Sequence, residues 1–149
     1  MDINKIKKSG KTGLANALVE IEKNPFDKKN LSLLTQAYKS KNGNILGITG
    51  PPGVGKSSLI KNLINYYRNK KKTIAVVAVD PSSKKTKGAL LGDRIRLETD
   101  PNDKGLFIRS MAARDKLGGL ASITLSSAFL FNALFDLTII LFFSWKHHL

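Results

Sequence analysis

Apolar and polar residues follow two patterns along this chain. One pattern predicts helices and the other predicts strands. Over residues 11–24, apolar side chains recur every three or four positions, which is the spacing of a helix with one buried face. These apolar positions are Leu14, Leu18 and Ile21. Asn24-Pro25 is a typical helix end. The first predicted element is therefore an amphipathic helix.

A second helix is predicted directly after the first. Asp27 is a suitable N-cap, because its carboxylate can accept from unpaired N–H groups of the first turn. The apolar face of this helix is predicted to comprise Leu31, Leu34, Ala37 and Tyr38. Residues 41–44 predict a turn. Residues 1–43 are thus expected to form a helical hairpin ahead of the remaining chain.

The second pattern is a continuous run of apolar residues. It predicts a strand of a parallel sheet that is buried on both faces. Residues 73–79 form such a run, and the mostly apolar segments 44–49, 106–109 and 136–143 predict three further strands. Two helices are predicted between them. The first would bury Leu59, Ile60, Leu63, Ile64 and Tyr67, and the second Leu120, Ile123, Ser127, Leu130, Phe131 and Leu134. Strands that alternate with helices predict an α/β fold with right-handed crossovers.

Composition limits the classes of function. The 149 residues suffice for one domain with a core, and none is cysteine. Disulfides and cysteine-based metal sites are therefore excluded, which suits a reducing compartment. Residues 1–8 lack the apolar run of a secretory signal. A cytoplasmic protein is expected.

The net charge of +14 raises nucleic acid and anionic membranes as partners. Basic residues are not interleaved with aromatic ones, as they are in single-strand binders. The run from Arg68 to Lys72 would complement the negative end of a helix without any nucleic acid. Neither nucleic acid nor a membrane is predicted as a main partner.

The candidate chemistry lies between the first strand and the next helix. There the chain reads Gly50-Pro51-Pro52-Gly53-Val54-Gly55-Lys56-Ser57-Ser58, which fits the phosphate-binding pattern G-x-x-x-x-G-K-[ST]. Glycines allow successive N–H groups to curl around an anion. Lys56 would contact the β/γ-phosphates as the catalytic residue, and Ser57 would offer a hydroxyl to Mg²⁺. The segment from Gly50 to Ser58 is the predicted nucleotide site.

Asp80 follows the second apolar run. It would lie at the carboxyl edge of the sheet, where open α/β sheets bind ligands. A carboxylate there could approach Mg²⁺ directly or through water. An ordinary turn aspartate before Pro81 is the alternative.

Four segments together resemble the ArgK/MeaB family of P-loop GTPases. They are Gly50–Ser58, Ala78–Ser83, Leu91–Asp93 and Leu117–Ala121, and the resemblance covers residues 11–141. The family includes G-protein chaperones of the cobalamin-dependent enzyme methylmalonyl-CoA mutase, and some members carry an older name as LAO/AO transport system kinases. The resemblance thus implies a GTPase that acts as a mutase chaperone.

The resemblance also implies roles for particular residues. GTP or GDP would bind at Gly50–Ser58, and Mg²⁺ would be held by Ser57, with Asp80 and Asp93 near the metal. Arg114 and Gly118-Gly119 match a loop near the nucleotide. The implied division is a helical extension over residues 1–43, a partial P-loop G domain over 44–141, and a tail unlike the family over 142–149.

The sequence departs from the family after Ile140. The switch segment expected there is replaced by an apolar tail, and the guanine-reading pattern [NT]-K-x-D does not occur in the 149 residues. An incomplete sheet, a truncated form with weak or no hydrolysis, and loss of the arm through which family members form homodimers are expected. A last strand deprived of neighbours would also favour self-association.

Two alternatives stay open from the residues alone. An ATP-dependent small-molecule or transport-system kinase could use the same loop, although no acceptor pocket or lid is evident. A membrane-associated fragment is suggested by the apolar stretch over residues 121–145. Asn132 and Asp136 oppose it, because a charged residue in a bilayer costs about 2.5–3.5 kcal/mol.

Overall fold

The computed structural model of this chain describes residues 2–40, 42–80, 99–112 and 122–143, together with Ile95. Four helices and four strands are defined within these ranges. The helices are α1 (Ile3–Lys23), α2 (Lys28–Lys39), α3 (Lys56–Asn69) and α4 (Ser122–Leu134). The strands are β1 (Asn44–Gly50), β2 (Ile74–Asp80), β3 (Leu106–Ala112) and β4 (Leu137–Phe143). The predicted alternation of strands and helices is confirmed.

The four strands form one parallel sheet in the order β1-β4-β2-β3. The last strand is inserted between the first two, so Ile140 pairs with Gly47 on one side and with Val77 on the other. β1 therefore forms one edge of the described sheet. The expectation that the last strand would lose its neighbours is wrong, because β4 lies inside the sheet and β1 is the exposed strand.

Helices cover both faces of the sheet. α1, α2 and α4 lie on one face, and α3 lies on the other. Alternate residues of β2 point to opposite faces of the sheet. Ala75, Val77 and Val79 lie in the core with α1, α2 and α4, and Ile74, Val76 and Ala78 lie in the core with α3. This two-sided burial explains why β2 is apolar throughout.

α1 begins eight residues before its predicted start. The Asp2 carboxylate accepts from the Lys5 N–H at 2.9 Å and caps the helix. Gly10 breaks the helix with φ 63°, and the segment before it buries Ile3 and Ile6 in the core shared with α4. The short N-terminal helix is thus anchored by two isoleucines that lie outside the predicted range.

α2 begins as predicted but buries a different face. The Asp27 carboxylate accepts from the Lys29 N–H at 2.8 Å. Leu33 is buried with Ala37, whereas Leu31 is 46% exposed. The cause is Asn30, whose amide donates to the carbonyl oxygens of residues 24 and 20 at 2.8 and 3.3 Å and closes the end of α1. Because Asn30 occupies the buried side of the helix at this point, the neighbouring Leu31 lies on the exposed side.

The first part of the apolar stretch over residues 121–145 forms helix α4. It has 13 residues and packs between the α1–α2 hairpin and the sheet, with Leu130 and Phe131 fully buried. Its apolar character is explained by contacts on both sides within the fold. Among the described residues, no helix is long and apolar enough to cross a membrane.

Candidate functional site

The predicted phosphate loop lies at the carboxyl edge of the sheet. β1 ends at Gly50 and α3 begins at Lys56, so the loop is the direct connection between a strand and a helix. The first turn of α3 carries N–H groups without intrahelical partners, and Gly55 at its N-cap has no side chain to bond them. An anion placed there would meet the positive end of the helix.

Lys56 bridges the two ends of this loop. Its ammonium donates to the carbonyl oxygens of Gly50 at 2.8 Å and Pro51 at 2.6 Å. The side chain is only 8% exposed, and burial lowers the pKa of the ammonium. Both carbonyls belong to the loop that the lysine follows. Lys56 therefore holds the loop in a closed turn and keeps a positive charge inside it.

Two glycines have backbone conformations that other residues rarely adopt. Gly53 has φ 82° and Gly55 has φ 95°. A Cβ at either position would meet no atom within 4 Å, so the requirement is conformational and not steric. Positive φ at these two residues allows the loop to turn its N–H groups toward one point, which is the arrangement that binds phosphates.

The other loop residues differ in exposure. Pro51, Pro52, Val54 and Ser58 are exposed, and Ser57 is half-buried in the first turn of α3. Ser57 follows Lys56 in the chain and provides a hydroxyl in the first turn of α3. Hydroxyl oxygen is a ligand that Mg²⁺ accepts when phosphate and water complete its shell.

Asp80 is not on the strand next to the phosphate loop, although β2 follows β1 in the chain. Its backbone ends β2 and pairs with Ala112, while β4 separates β2 from β1. Two strand spacings, about 10 Å, therefore lie between the Asp80 and Gly50 positions along the sheet edge. The structure places the Asp80 backbone at the predicted edge, but its side chain is outside what is described.

Several predicted positions lie outside the described residues. They are Asp93, Arg114, Gly118 and Gly119. Within the described ranges, no group of three or more His, Asp or Glu side chains could hold a metal ion. The part of the site that can be described therefore consists of the loop, the Lys56 ammonium and the Ser57 hydroxyl.

Sequence reasoning missed the carbonyl partners of Lys56. The motif assigns the lysine to phosphate, but the loop fold also uses it as an internal brace. The 8% exposure and the two short contacts are properties of the folded loop. The three glycines from Gly50 to Gly55, with Pro51-Pro52 between them, indicated a tight turn directly before the lysine.

The parallel sheet, with a glycine-rich loop joining β1 to α3, defines the α/β fold of P-loop proteins. A family model described as "Methylmalonyl Co-A mutase-associated GTPase MeaB" matches residues 13–142. The chain therefore belongs to the MeaB family. The suspected ArgK/MeaB relationship is confirmed.

Individual relatives agree with this assignment. A protein of Pyrococcus horikoshii named as a GTPase is 43% identical over 123 residues, covering 82% of this chain and 38% of its own length. A fused isobutyryl-CoA mutase of Cupriavidus metallidurans is 41% identical over 105 residues, covering 68% of this chain and 10% of its own. This chain thus spans well under half of the length of either protein.

A solved structure has the same fold. The crystal structure of a LAO/AO transport system kinase aligns with a TM-score of 0.65, covering 97% of this chain and 42% of that one. At 23% identity this likeness supports the fold alone. It agrees with the predicted P-loop α/β architecture.

Proposed function

We propose that Gly50–Ser58 binds the phosphates of GTP or GDP together with Mg²⁺. The observation that carries this proposal is the buried Lys56 ammonium, held between the carbonyl oxygens of Gly50 and Pro51. A positive charge enclosed by a glycine loop at a helix start suits a phosphate and little else of comparable size. Membership of a family described as GTPases supports guanine as the base.

Mg²⁺ fits the donor set of this loop. The Ser57 hydroxyl would be one ligand, and Asp80 and Asp93 are the proposed acidic groups near it, directly or through water. When bound, the ion would neutralise charge on the β/γ-phosphates. Lys56 would add its own positive charge from inside the loop. Gly53 and Gly55 would direct backbone N–H groups at the same oxygens.

For hydrolysis we propose only the general class of reaction. Relatives named as GTPases support a nucleoside-triphosphate hydrolase, but the 149 residues contain no [NT]-K-x-D pattern. Catalysis at such sites comes mainly from positioning and from charge stabilisation around the phosphates. The described loop provides the charge, so we propose that it stabilises the phosphates during hydrolysis of a nucleoside triphosphate.

We further propose that the protein acts with a cobalamin-dependent acyl-CoA mutase, as a chaperone of that enzyme. The support is the family description and the presence of a similar region inside a protein named as a fused isobutyryl-CoA mutase. A fusion keeps two domains at high effective concentration, as expected when they work together. Cytoplasmic location is also part of this proposal.

Isothermal titration with Mg-GDP tests the phosphate site. Lys56→Ala should weaken binding at least tenfold, because it removes the charge inside the loop. Lys7→Ala is the matched control, since Lys7 is an exposed lysine on α1, and it should leave the affinity unchanged. Absence of binding by the folded protein, or equal binding by Lys56→Ala, would refute the proposal.

Competition between nucleotides tests the base and the reaction. GTP should displace a fluorescent GDP analogue at lower concentration than ATP does. A preference for ATP, together with phosphate transfer to an added small molecule, would instead favour the kinase alternative.

Sedimentation of the chain with the mutase portion of the Cupriavidus metallidurans protein tests the partner. Co-sedimentation that depends on GTP or GDP is expected. Independent sedimentation in every nucleotide state would contradict the mutase role while leaving the phosphate site intact.

A further inference from the structure

Asn42 and Gly43 lie between α2 and β1, and their backbone is bonded to the end of α4. The N–H groups of both residues donate to the carbonyl oxygen of Asn132, at 3.2 and 3.0 Å. The Gly43 N–H also lies 3.2 Å from Oδ1 of the Asn132 side chain. Asn132 is in the last turn of α4, where carbonyl oxygens have no partner within the helix. The Asn42-Gly43 turn therefore satisfies the helix end, and the helix end fixes the turn.

An asparagine followed by glycine is the pair in which asparagine loses its side-chain amide most readily. The backbone nitrogen of the glycine, once it has lost its proton, can attack the side-chain carbon Cγ of the asparagine. Glycine favours this step because it has no Cβ in the way and its backbone rotates freely. Asn42-Gly43 is the one Asn-Gly pair in the 149 residues.

Packing requires the glycine of this pair. A Cβ at Gly43 would overlap the backbone carbonyls of Phe135 and Asp136. The next residue, Asn44, donates its N–H to the Asp136 carbonyl at 3.0 Å, so the chain is held closely on this side as well. A bulkier residue, which would slow the attack on Asn42, does not fit. The fold therefore keeps a chemically reactive pair at this position.

We propose that Asn42 is a site of spontaneous deamidation, and that Asn132 protects it in the folded protein. In this reaction water takes the proton of the Gly43 N–H, and the nitrogen forms a bond to Cγ of Asn42. The bond from Cγ to Nδ2 breaks, and the departing nitrogen takes up a proton and leaves as ammonia. A five-membered succinimide results. Water then opens the ring at either carbonyl and leaves aspartate or isoaspartate, with nothing oxidised or reduced.

The contacts with Asn132 oppose the first step. Two acceptor oxygens share the Gly43 N–H, so its proton is removed only after both hydrogen bonds break. A third hydrogen bond, from the Asn42 N–H, holds the other end of the residue whose peptide must rotate. Deamidation therefore requires the turn to open away from α4, which is a local event and not global unfolding. The Asn42 side chain is exposed, so water reaches it.

Both products should disturb the turn. Isoaspartate adds one carbon to the main chain directly before Gly43, where neighbouring carbonyls already leave no room for a Cβ. Aspartate adds a negative charge beside the carbonyl end of α4, which carries partial negative charge itself. The deamidated chain should therefore hold α4 and β1 together less firmly than the original chain does.

Mass spectrometry of proteolytic peptides, after incubation at mildly alkaline pH, tests the site. The chain unfolded in urea should lose ammonia mainly at Asn42, and labelling by an isoaspartate methyltransferase should increase in parallel. The folded chain should react at least about tenfold more slowly. Asn42→Ser should abolish the signal. Absence of reaction at Asn42 in the unfolded chain would overturn the site, and equal rates in both states would overturn the protection.

Three variants test the role of Asn132 in the folded chain. Asn132→Leu removes Oδ1 and should speed deamidation about fivefold, which corresponds to one hydrogen bond. Asn132→Asp keeps an acceptor oxygen and should react at close to the original rate. Asp103→Asn is the control for a general loss of stability, because the contacts of Asp103 with Arg68 and Gly105 do not involve the turn. It should leave the rate unchanged.

Equal acceleration by Asn132→Leu and Asp103→Asn would overturn the protective role, since deamidation would then follow global unfolding. Hydrogen exchange provides a check without any variant. Exchange of the Gly43 amide needs the same opening, so folding should slow it about as much as it slows deamidation. A Gly43 amide that exchanges as fast as in the unfolded chain would overturn the assigned cause. None of these outcomes depends on nucleotide binding.

Discussion

Arg68 at the end of α3 binds Asp103 in the segment before β3 through two parallel hydrogen bonds. Nε lies 2.8 Å from one carboxylate oxygen and Nη2 lies 2.7 Å from the other. Nη1 of the same guanidinium donates to the Lys72 carbonyl at 2.7 Å. One side chain thus joins the α3–β2 turn to the segment that leads into β3.

Replacing Asp103 should weaken the fold in a pH-dependent way. Asp103→Asn is expected to lower the free energy of unfolding by about 1 kcal/mol at pH 7, a modest value because both side chains are about one-quarter exposed. Hydrogen bonds from Arg68 lower the pKa of Asp103. Its stabilisation is therefore complete above the unfolded-state pKa near 4 and is lost as pH falls through the lower folded-state pKa.

Urea unfolding at pH 7, 5 and 3 measures this effect. The difference between wild type and Asp103→Asn should be similar at pH 7 and 5 and smaller at pH 3. Asp100→Asn is the control, because an amide oxygen can still accept from the Asn102 N–H. A difference that grows toward pH 3 would contradict the assigned pKa direction.

Gly105 leaves the space that the Arg68 guanidinium occupies. A Cβ there would overlap Cζ and both terminal nitrogens of Arg68. Gly105→Ala should therefore displace the arginine and cost about as much as losing the pair, near 1 kcal/mol. A double-mutant cycle with Asp103→Asn checks this. The two changes should be clearly less than additive, and full additivity would show that Gly105 acts on something other than the ion pair.

Gly43 should be far less tolerant than Gly47, four residues along the chain. A Cβ at Gly43 would overlap the backbone carbonyls of Phe135 and Asp136, which cannot move aside like a side chain. Gly43→Ala is expected to lower the free energy of unfolding by about 1–3 kcal/mol. Gly47→Ala, with ordinary contact only to Phe142, should cost less than about 1 kcal/mol. Thermal unfolding of both variants measures the difference, and equal losses would contradict the reason given.

Local features of this fold were predictable from the sequence. The N-cap at Asp27 and the phosphate loop depend on residues within a few positions of each other, so a short pattern contains the necessary information. The four strands were also predicted, because each is apolar over most of its length. Both kinds of signal are local in the chain.

Pairings between distant residues were not predictable. β4 enters between β1 and β2 although it is last in the chain, and no pattern within β4 specifies its neighbours. Arg68 was interpreted as a charge at a helix end, but its partner Asp103 is 35 residues away. Leu31 and Leu33 fit a helix equally well, and the buried cap Asn30 decides between them. In each of these cases the feature depends on a contact that forms only when the chain folds.

Gly55 and Gly10 allow backbone strain to be separated from phosphate binding. Both have positive φ, 95° and 63°, and a Cβ at either would meet no atom within 4 Å. Alanine at Gly55 should cost about 1 kcal/mol of stability. Alanine at Gly10, whose ψ of −150° lies in a region almost exclusive to glycine, should cost about 1–3 kcal/mol.

The two variants should differ in nucleotide affinity. Gly55 is the N-cap of α3, so Gly55→Ala would turn the first N–H groups of the helix away from a phosphate held in the loop. We expect at least tenfold weaker binding of Mg-GDP by this variant, measured by titration below its unfolding temperature. Gly10→Ala lies in α1 and should bind normally despite its lower stability. If both variants lose affinity in proportion to their stability, the loop conformation has no specific role in binding.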